Sequence, residues 1–308
     1  MTGARGEVFD LGYQHYLGPR EGRTQARKAL WLNGVRTALG LGRGWPSKVL
    51  PALLFVAVMI PAVVMSIIAS VADFGDVLPG HADYYRVVVV VLTLASAIIA
   101  PELLCPDRRE GVLSLYLVRP LTTSDYVLGR WLAFFSVSLA LVLFGQVILF
   151  IGLTLASSDS PEYVRDNWLD IPRFLGAGFV VALFTTTIPM AVSAFTTRRA
   201  YAAAFVIVLY VISAPIASSL ASCEHGNDDA PRSEVCEPPT GDAAKWFALI
   251  SIPEVPMHVN DMIFDEEGDS DFAELIDELP NVVPIGWYLI LTGIPGLVLW
   301  WRYQRIRA

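Results

Sequence analysis

Four histidines, three cysteines, three lysines and one carboxylate within a long apolar run are the residues of this 308-residue chain best suited to catalysis or ion binding. Their spacing builds no common reactive centre. None of Lys28, Lys48 and Lys245 follows a glycine, so there is no P-loop to cradle nucleotide phosphates. His15, His81, His225 and His258 are scattered, with no HExxH and no GxSxG, which argues against a membrane metalloenzyme or a serine hydrolase. Asp265 to Asp271 reads DEEGDSD but lacks the alternating ligands and terminal glutamate of a calcium loop, so a solvated acidic loop is expected. Glu102 follows Pro101 near the end of its apolar run and is expected to pair at the interface with Arg108 or Arg109. The chain is therefore expected to be no enzyme by itself and to hold no cofactor or metal.

A different kind of chemistry is written between the second and third apolar runs, where Pro106 to Trp131 reads PDRREGVLSLYLVRPLTTSDYVLGRW. A loop that only oriented the chain would not need the apolar stretch VLSLYLV between its charges. Pro120 stops a short helix, and Thr122 or Thr123 with Asp125 supplies a cap and a first-turn acid for the next one. A rigid lever joined directly to a long helix is the expectation.

The elements that must position this lever are apolar. Hydrophobic residues make up 54% of the chain, and uncharged runs recur at the length a helix needs to cross a bilayer, roughly 20 residues. Spans are expected at Val49–Val71, Tyr85–Leu104, Trp131–Ser157, Phe174–Phe195, Tyr201–Ala221 and Ile285–Trp301. These runs are too long and too uniformly apolar for the alternating strands of a barrel. The fold class is an all-α polytopic membrane protein with six transmembrane helices.

Eight Lys and Arg precede the first run, four lie in the break after Leu104, two at Arg198–Arg199 and three in the C-terminal tail, which is 17 of the 22. Only seven of the 30 acidic residues share that side. The positive-inside rule then places both termini in the cytoplasm of a multi-pass protein of the cell (inner or plasma) membrane. The net charge of −8 sums a basic inner and an acidic outer face, so it points to no nucleic-acid partner.

Ahead of the first span, residues 1–48 hold a polar tail without the apolar core of a cleavable leader, and then an amphipathic helix over Arg23–Leu41. Trp31, Val35, Ala38 and Leu39 form its apolar stripe, and Arg20, Arg23, Arg27, Lys28 and Arg36 offer cations to lipid headgroups. Residues 49–221 hold five spans with the break at 105–130. Residues 222–284 form an extracytoplasmic cap, with short helices expected around Trp246, Phe247 and Ile250 and around Phe272, Leu275, Ile276 and Leu279. Its acidity disfavours anionic solutes and favours cationic or zwitterionic ones. Residues 285–308 hold the sixth span and a basic tail. Cys223 and Cys236 lie in the cap; either they form a disulfide, closing a loop worth on the order of 3 kcal/mol, or they remain free thiols.

Charge within the spans is almost absent, which counts against ion pumps and proton-coupled transporters. The mild polarity of Gln146, Thr185, Thr186 and Ser213 suits a pathway for an amphipathic or lipid-like substrate, although such residues also hold helices together.

A basic amphipathic helix, six spans, a Glu-Gly-containing break ending in Pro-Leu-Thr and an outer cap together resemble the ABC transporter type-2 permeases. The resemblance covers nearly the whole chain in topology and rests at residue level on the break. There the family's usual Glu-x-x-Gly-Thr is replaced by Arg109-Glu110-Gly111-Val112. It implies that Asp107 to Arg119 forms a coupling helix docked on a separate P-loop ATPase, with Asp107, Arg108, Arg109, Glu110, Gly111, Val112, Leu113, Leu115, Tyr116 and Arg119 as its residues. Arg23 to Leu41 would be the connecting helix. It further implies two ATPase copies binding ATP and Mg, a second or homologous permease, and export of an amphipathic, lipid-like or drug-like substrate. A stand-alone secondary transporter or channel, or a membrane sensor or assembly protein, remains the alternative.

Overall fold

The computed structural model describes residues 22–42, 44–71, 80–113, 116, 121–221, 243–266, 268 and 270–306. The described elements are helical, and no strand occurs among them. In chain order they are α1 (Arg23–Ala38), α2 (Pro46–Val71), α3 (His81–Arg109), α4 (Thr123–Ala156), α5 (Ser160–Asp166), α6 (Asp170–Ser193), α7 (Arg199–Ala221), α8 (Ala244–Ala248), α9 (Glu254–Phe264), α10 (Asp271–Asp277) and α11 (Val282–Ile306). Six of them, α2, α3, α4, α6, α7 and α11, are long and apolar enough to cross a membrane. The chain is thus a polytopic α-helical membrane protein.

Burial divides the six into an inner pair and an outer ring. In α3 and α6, 67% of the apolar window is buried, against 22–28% in the other four. The outer four expose Phe55, Ile67, Phe144, Phe205, Ile294 and Leu297, as lipid-facing helices do. Small residues allow close crossings. A Cβ on Gly145 of α4 would fall 1.8 Å from the Tyr84 hydroxyl of α3, so only glycine admits that ring. Gly34 of α1 meets Ala133 of α4 in the same way, at 2.5 Å from a Cβ built there.

Parity and contacts put α1, the α3–α4 junction and the end of α11 at one side, here the terminal face. Tyr126 near the start of α4 packs on Tyr303 near the end of α11 with ring centroids 5.7 Å apart. The opposite cap face carries α5, α8, α9 and α10.

Several boundaries differ from the sequence reading. Helix α3 continues to Arg109 rather than ending at Leu104, and α4 begins at Thr123 rather than Trp131. The break therefore narrows to about Glu110–Thr122. Apolar runs mark only the lipid-immersed length, and the charged turns beyond them stay helical because they find partners. Helices α5 and α9 were not anticipated. The first has a readable start, with Asp159 Oδ1 accepting from Glu162 N–H at 3.2 Å and proline in the first turn. The second buries His258, Asn260 and Asp261 and packs against α3, α6 and α11, so this part of the cap sits within the bundle. The two expected cap helices are α8 and α10, packed through Ala244, Ala248, Leu249, Ile276 and Leu279. The buried face of α1 is Leu30, Gly34 and Ala38, with Trp31, Val35 and Leu39 only flanking it. It packs on α4 and also touches α3.

Candidate functional site

At the terminal face, the end of α3 is held by its own charges. The Asp107 carboxylate accepts from the Tyr126 hydroxyl at 2.7 Å and from Arg130 Nη2 at 2.6 Å. Arg130 is almost fully enclosed, at 3% exposure, and its guanidinium also lies over the Tyr126 ring. Such a pair is stable only while both charges are present, because neither is well hydrated. Arg108 reaches across to α6 and donates to the carbonyls of Ala194 and Thr196, capping that helix end. Leu113 is buried, and Tyr116 packs against Tyr126 at 5.7 Å.

Between these anchors Arg109, Glu110 and Gly111 are exposed. Glu110 ends α3, and Gly111 then takes a left-handed φ of 68°, the backbone turn that glycine adopts without a Cβ penalty. The expected ten-residue docking set thus splits by role. Asp107, Arg108, Leu113 and Tyr116 hold the junction, Val112 is half-buried, and Arg109-Glu110-Gly111 forms its outward tip. Leu115 and Arg119 lie outside the described residues.

Directly after the junction, Thr122 and Asp125 form a capping box for α4. Asp125 N–H donates to Thr122 Oγ1 at 3.3 Å, and Thr122 N–H donates to Asp125 Oδ2 at 2.9 Å. The same carboxylate accepts from Arg23 and Arg27 of α1, each at 2.7 Å. Two of the cations expected to face lipid headgroups therefore clasp α1 to α4, whereas Lys28 and Arg36 remain exposed. Trp31 Nε1–H donates to Ser136 Oγ at 3.2 Å, and Val35 is half-buried. Arg20 lies outside the described residues.

Gln146, Thr185, Thr186 and Ser213, expected along a pathway, sit in the packed interior. Gln146 is fully buried and bonds to His81, and Thr185 donates back to the Val181 carbonyl at 2.8 Å. Thr186 is also fully buried. Ser213 accepts from Ile252 N–H at 3.3 Å, tying the approach to α9 onto α7. Two apolar clefts open between helices, one of about 510 Å³ walled by Ile188, Phe195, Phe205 and Pro295, the other of about 370 Å³ walled by Trp131, Leu183 and Trp300.

The charges gathered at the ends of α3 and α4 lie mostly outside the expected spans: Asp107, Asp125 and Arg130 stand in the helical turns beyond them and only Arg86 falls within one, each with an opposite charge. Glu102 pairs with Arg199 at 2.9 Å rather than with Arg108 or Arg109. At the cap face Arg86 reaches Asp261 of α9 at 3.1 Å. Burial raises the Asp261 and Glu254 carboxyls and lowers the His258 imidazole, with Arg86 opposing the rise at both acids. The sequence reading took His81 and His258 only as scattered histidines and did not single out Arg86 or Asp261. The available signal was that His81 and Arg86, five residues apart, both stand at the head of an apolar run. Among the described residues no group of three His, Cys, Asp or Glu is placed to hold a metal ion. Cys105 is free and buried, and Cys223 and Cys236 lie outside the described residues.

No protein-family model matches the sequence, and no curated protein matches it significantly.

Proposed function

We propose that this chain is the membrane-spanning subunit of an ATP-driven transporter of the ABC type-2 kind. In this reading the terminal face is cytoplasmic, and two copies of a separate P-loop ATPase dock on it and bind the ATP and Mg. A second copy of the chain or a homologous permease completes the pathway. The observation that carries the reading is the exposed Arg109-Glu110-Gly111 tip, set on a junction pinned to α4 and α6. A push on that tip is transmitted through Asp107–Arg130 into α4 and through Arg108 into α6, which is how a docked motor would move two spans together. The apolar clefts beside α6 and α11 support an amphipathic or lipid-like cargo; export is the direction this reading takes.

The test uses the exposed tip. An R109A/E110A variant leaves the Asp107 and Arg108 anchors untouched, so it is expected to fold normally and to lose substrate-stimulated ATPase activity in the complex. Full coupling in that variant overturns the assignment.

A further inference from the structure

At the cap face a cavity of about 300 Å³ lies among the ends of α2, α3, α4, α5, α6 and α9, lined in part by His81, Tyr163, Asp170, Arg173, Phe264 and Glu266. Its least expected member is His81, only 6% exposed at the head of α3. The ring sits in an aromatic collar, with the centroids of Phe150, Phe174 and Phe264 at 6.1, 6.0 and 6.2 Å.

Gln146 fixes which nitrogen of that ring carries the proton. Its Nε2 donates to the His81 carbonyl at 3.0 Å, which leaves its Oε1 facing His81 Nδ1 at 2.6 Å. An amide oxygen only accepts, so the hydrogen-bond network assigns the proton to Nδ1. Nε2 of the neutral ring is then an acceptor, and it has no partner in the protein. A buried acceptor left unmatched is costly and rare, and this one belongs to a ring that lines a cavity.

The charges lining the cavity sum to a negative excess. Asp170 and Arg173 pair at 3.4 Å and offset each other. Glu266 stands at the exposed rim against Gly80, where a Cβ would come within 3.1 Å of its Oε1. Partial burial, and after it the neighbouring Asp83, Asp261 and Asp170 carboxylates, disfavour its ionisation, with Arg86 opposing them. The lining thus combines an unmatched acceptor, an excess carboxylate and the aromatic walls of Phe264 and Tyr163.

We infer that this cavity binds an organic cation that carries N–H donors and a short apolar body, such as a protonated primary amine. Its ammonium donates to His81 Nε2 and faces Glu266, and its body lies against Phe264 and Tyr163. The site goes beyond the motor-driven reading and does not depend on it, since binding is measurable on this chain with no ATPase present.

The experiment is calorimetric titration of the full chain in nanodiscs of zwitterionic lipid, with empty nanodiscs as the blank. The probes are 2-phenylethylamine, its N,N,N-trimethyl analogue, 2-phenylethanol and phenylacetate. Saturable binding is expected for the primary amine. The trimethyl analogue, which keeps the charge but cannot donate, is expected to bind about tenfold more weakly, the worth of one charge-assisted hydrogen bond. The alcohol and the acid are expected not to saturate. H81F in a Q146L background removes both hydrogen-bonding partners and is expected to weaken the amine about tenfold. E266Q, at the exposed rim, is expected to weaken it several-fold and serves as the test should the double variant fail to fold. Absence of saturable amine binding, equal affinity for the trimethyl analogue, preference for phenylacetate, or unchanged affinity in E266Q overturns the inference.

Discussion

Asp125 joins α1 to the start of α4 through one side chain, and its removal has a magnitude that can be worked out. The carboxylate is 6% exposed and accepts the Thr122 N–H of its own capping box, together with Arg23 and Arg27 of α1. Loss of a helix cap costs about 1 kcal/mol. The two arginines are 46% and 51% exposed, so solvent screens each pair to about 0.5 kcal/mol. D125A is therefore expected to lose about 2 kcal/mol. D125N retains an oxygen for the Thr122 N–H and drops the charge, so it should lose about 1 kcal/mol. R23A/R27A removes the pairs and leaves the cap, and should also lose about 1 kcal/mol. The assay is equilibrium unfolding in mixed detergent micelles, repeated in 1 M salt, where the screening length falls to about 3 Å. There the difference between wild type and D125N should shrink, while that between D125N and D125A persists. Equal damage from D125N and D125A would show that the capping box contributes nothing and refute the division.

The other expectations concern the same two faces. D107N leaves Arg130 buried without its counter-charge and should cost about 3 to 5 kcal/mol, and R130M added to it should recover much of that in the same unfolding assay. G111A has open space around its new Cβ but keeps a φ of 68°, so it should cost about 1 kcal/mol, with G111N milder. At the cap face, Glu254, Asp261 and Glu266 hold protons more tightly folded than unfolded, so their contribution to stability is complete below the ordinary carboxylate range and is lost as pH rises through their raised values. His258 runs the other way, its contribution present above its ordinary value of 6.5 and lost as pH falls through its lowered one. Thermal unfolding of E266Q against pH should match wild type in acid and exceed it increasingly toward neutrality; a gap of the opposite trend contradicts the direction.

Hydrophobic length made the membrane bundle legible. The expected ends at Val71 and Ala221 coincide with those of α2 and α7, since both runs stop where polar chain begins. The Thr122–Asp125 start of α4 was legible for a local reason, because a capping box is written in adjacent residues. Charges misled where the partner is distant in sequence. Asp107 and Arg130 stand 23 residues apart and read as loop, yet their pairing keeps both helices intact there. Arg86 and Asp261 are 175 residues apart, and the sequence around either does not name the other as its partner. Helix α9 was missed because it is short and carries Pro256 in its first turn, and because its buried face mixes Val255, Met257, Val259 and Phe264 with His258, Asn260 and Asp261, whose burial comes from docking on α3, α6 and α11. Of the expected α1 stripe Ala38 is on the buried face, while Leu30 and Gly34 replace Trp31 and Val35 there; Gly34 carries no hydrophobic signal and is buried where α4 approaches it closely.

The proposal that a separate motor drives this chain is tested most directly by purifying the tagged protein from its native host in mild detergent and identifying what accompanies it. A stoichiometric P-loop ATPase, retained by wild type and released or uncoupled in R109A/E110A, is the expected result. Recovery of the chain alone, under conditions that keep other membrane complexes whole, contradicts it.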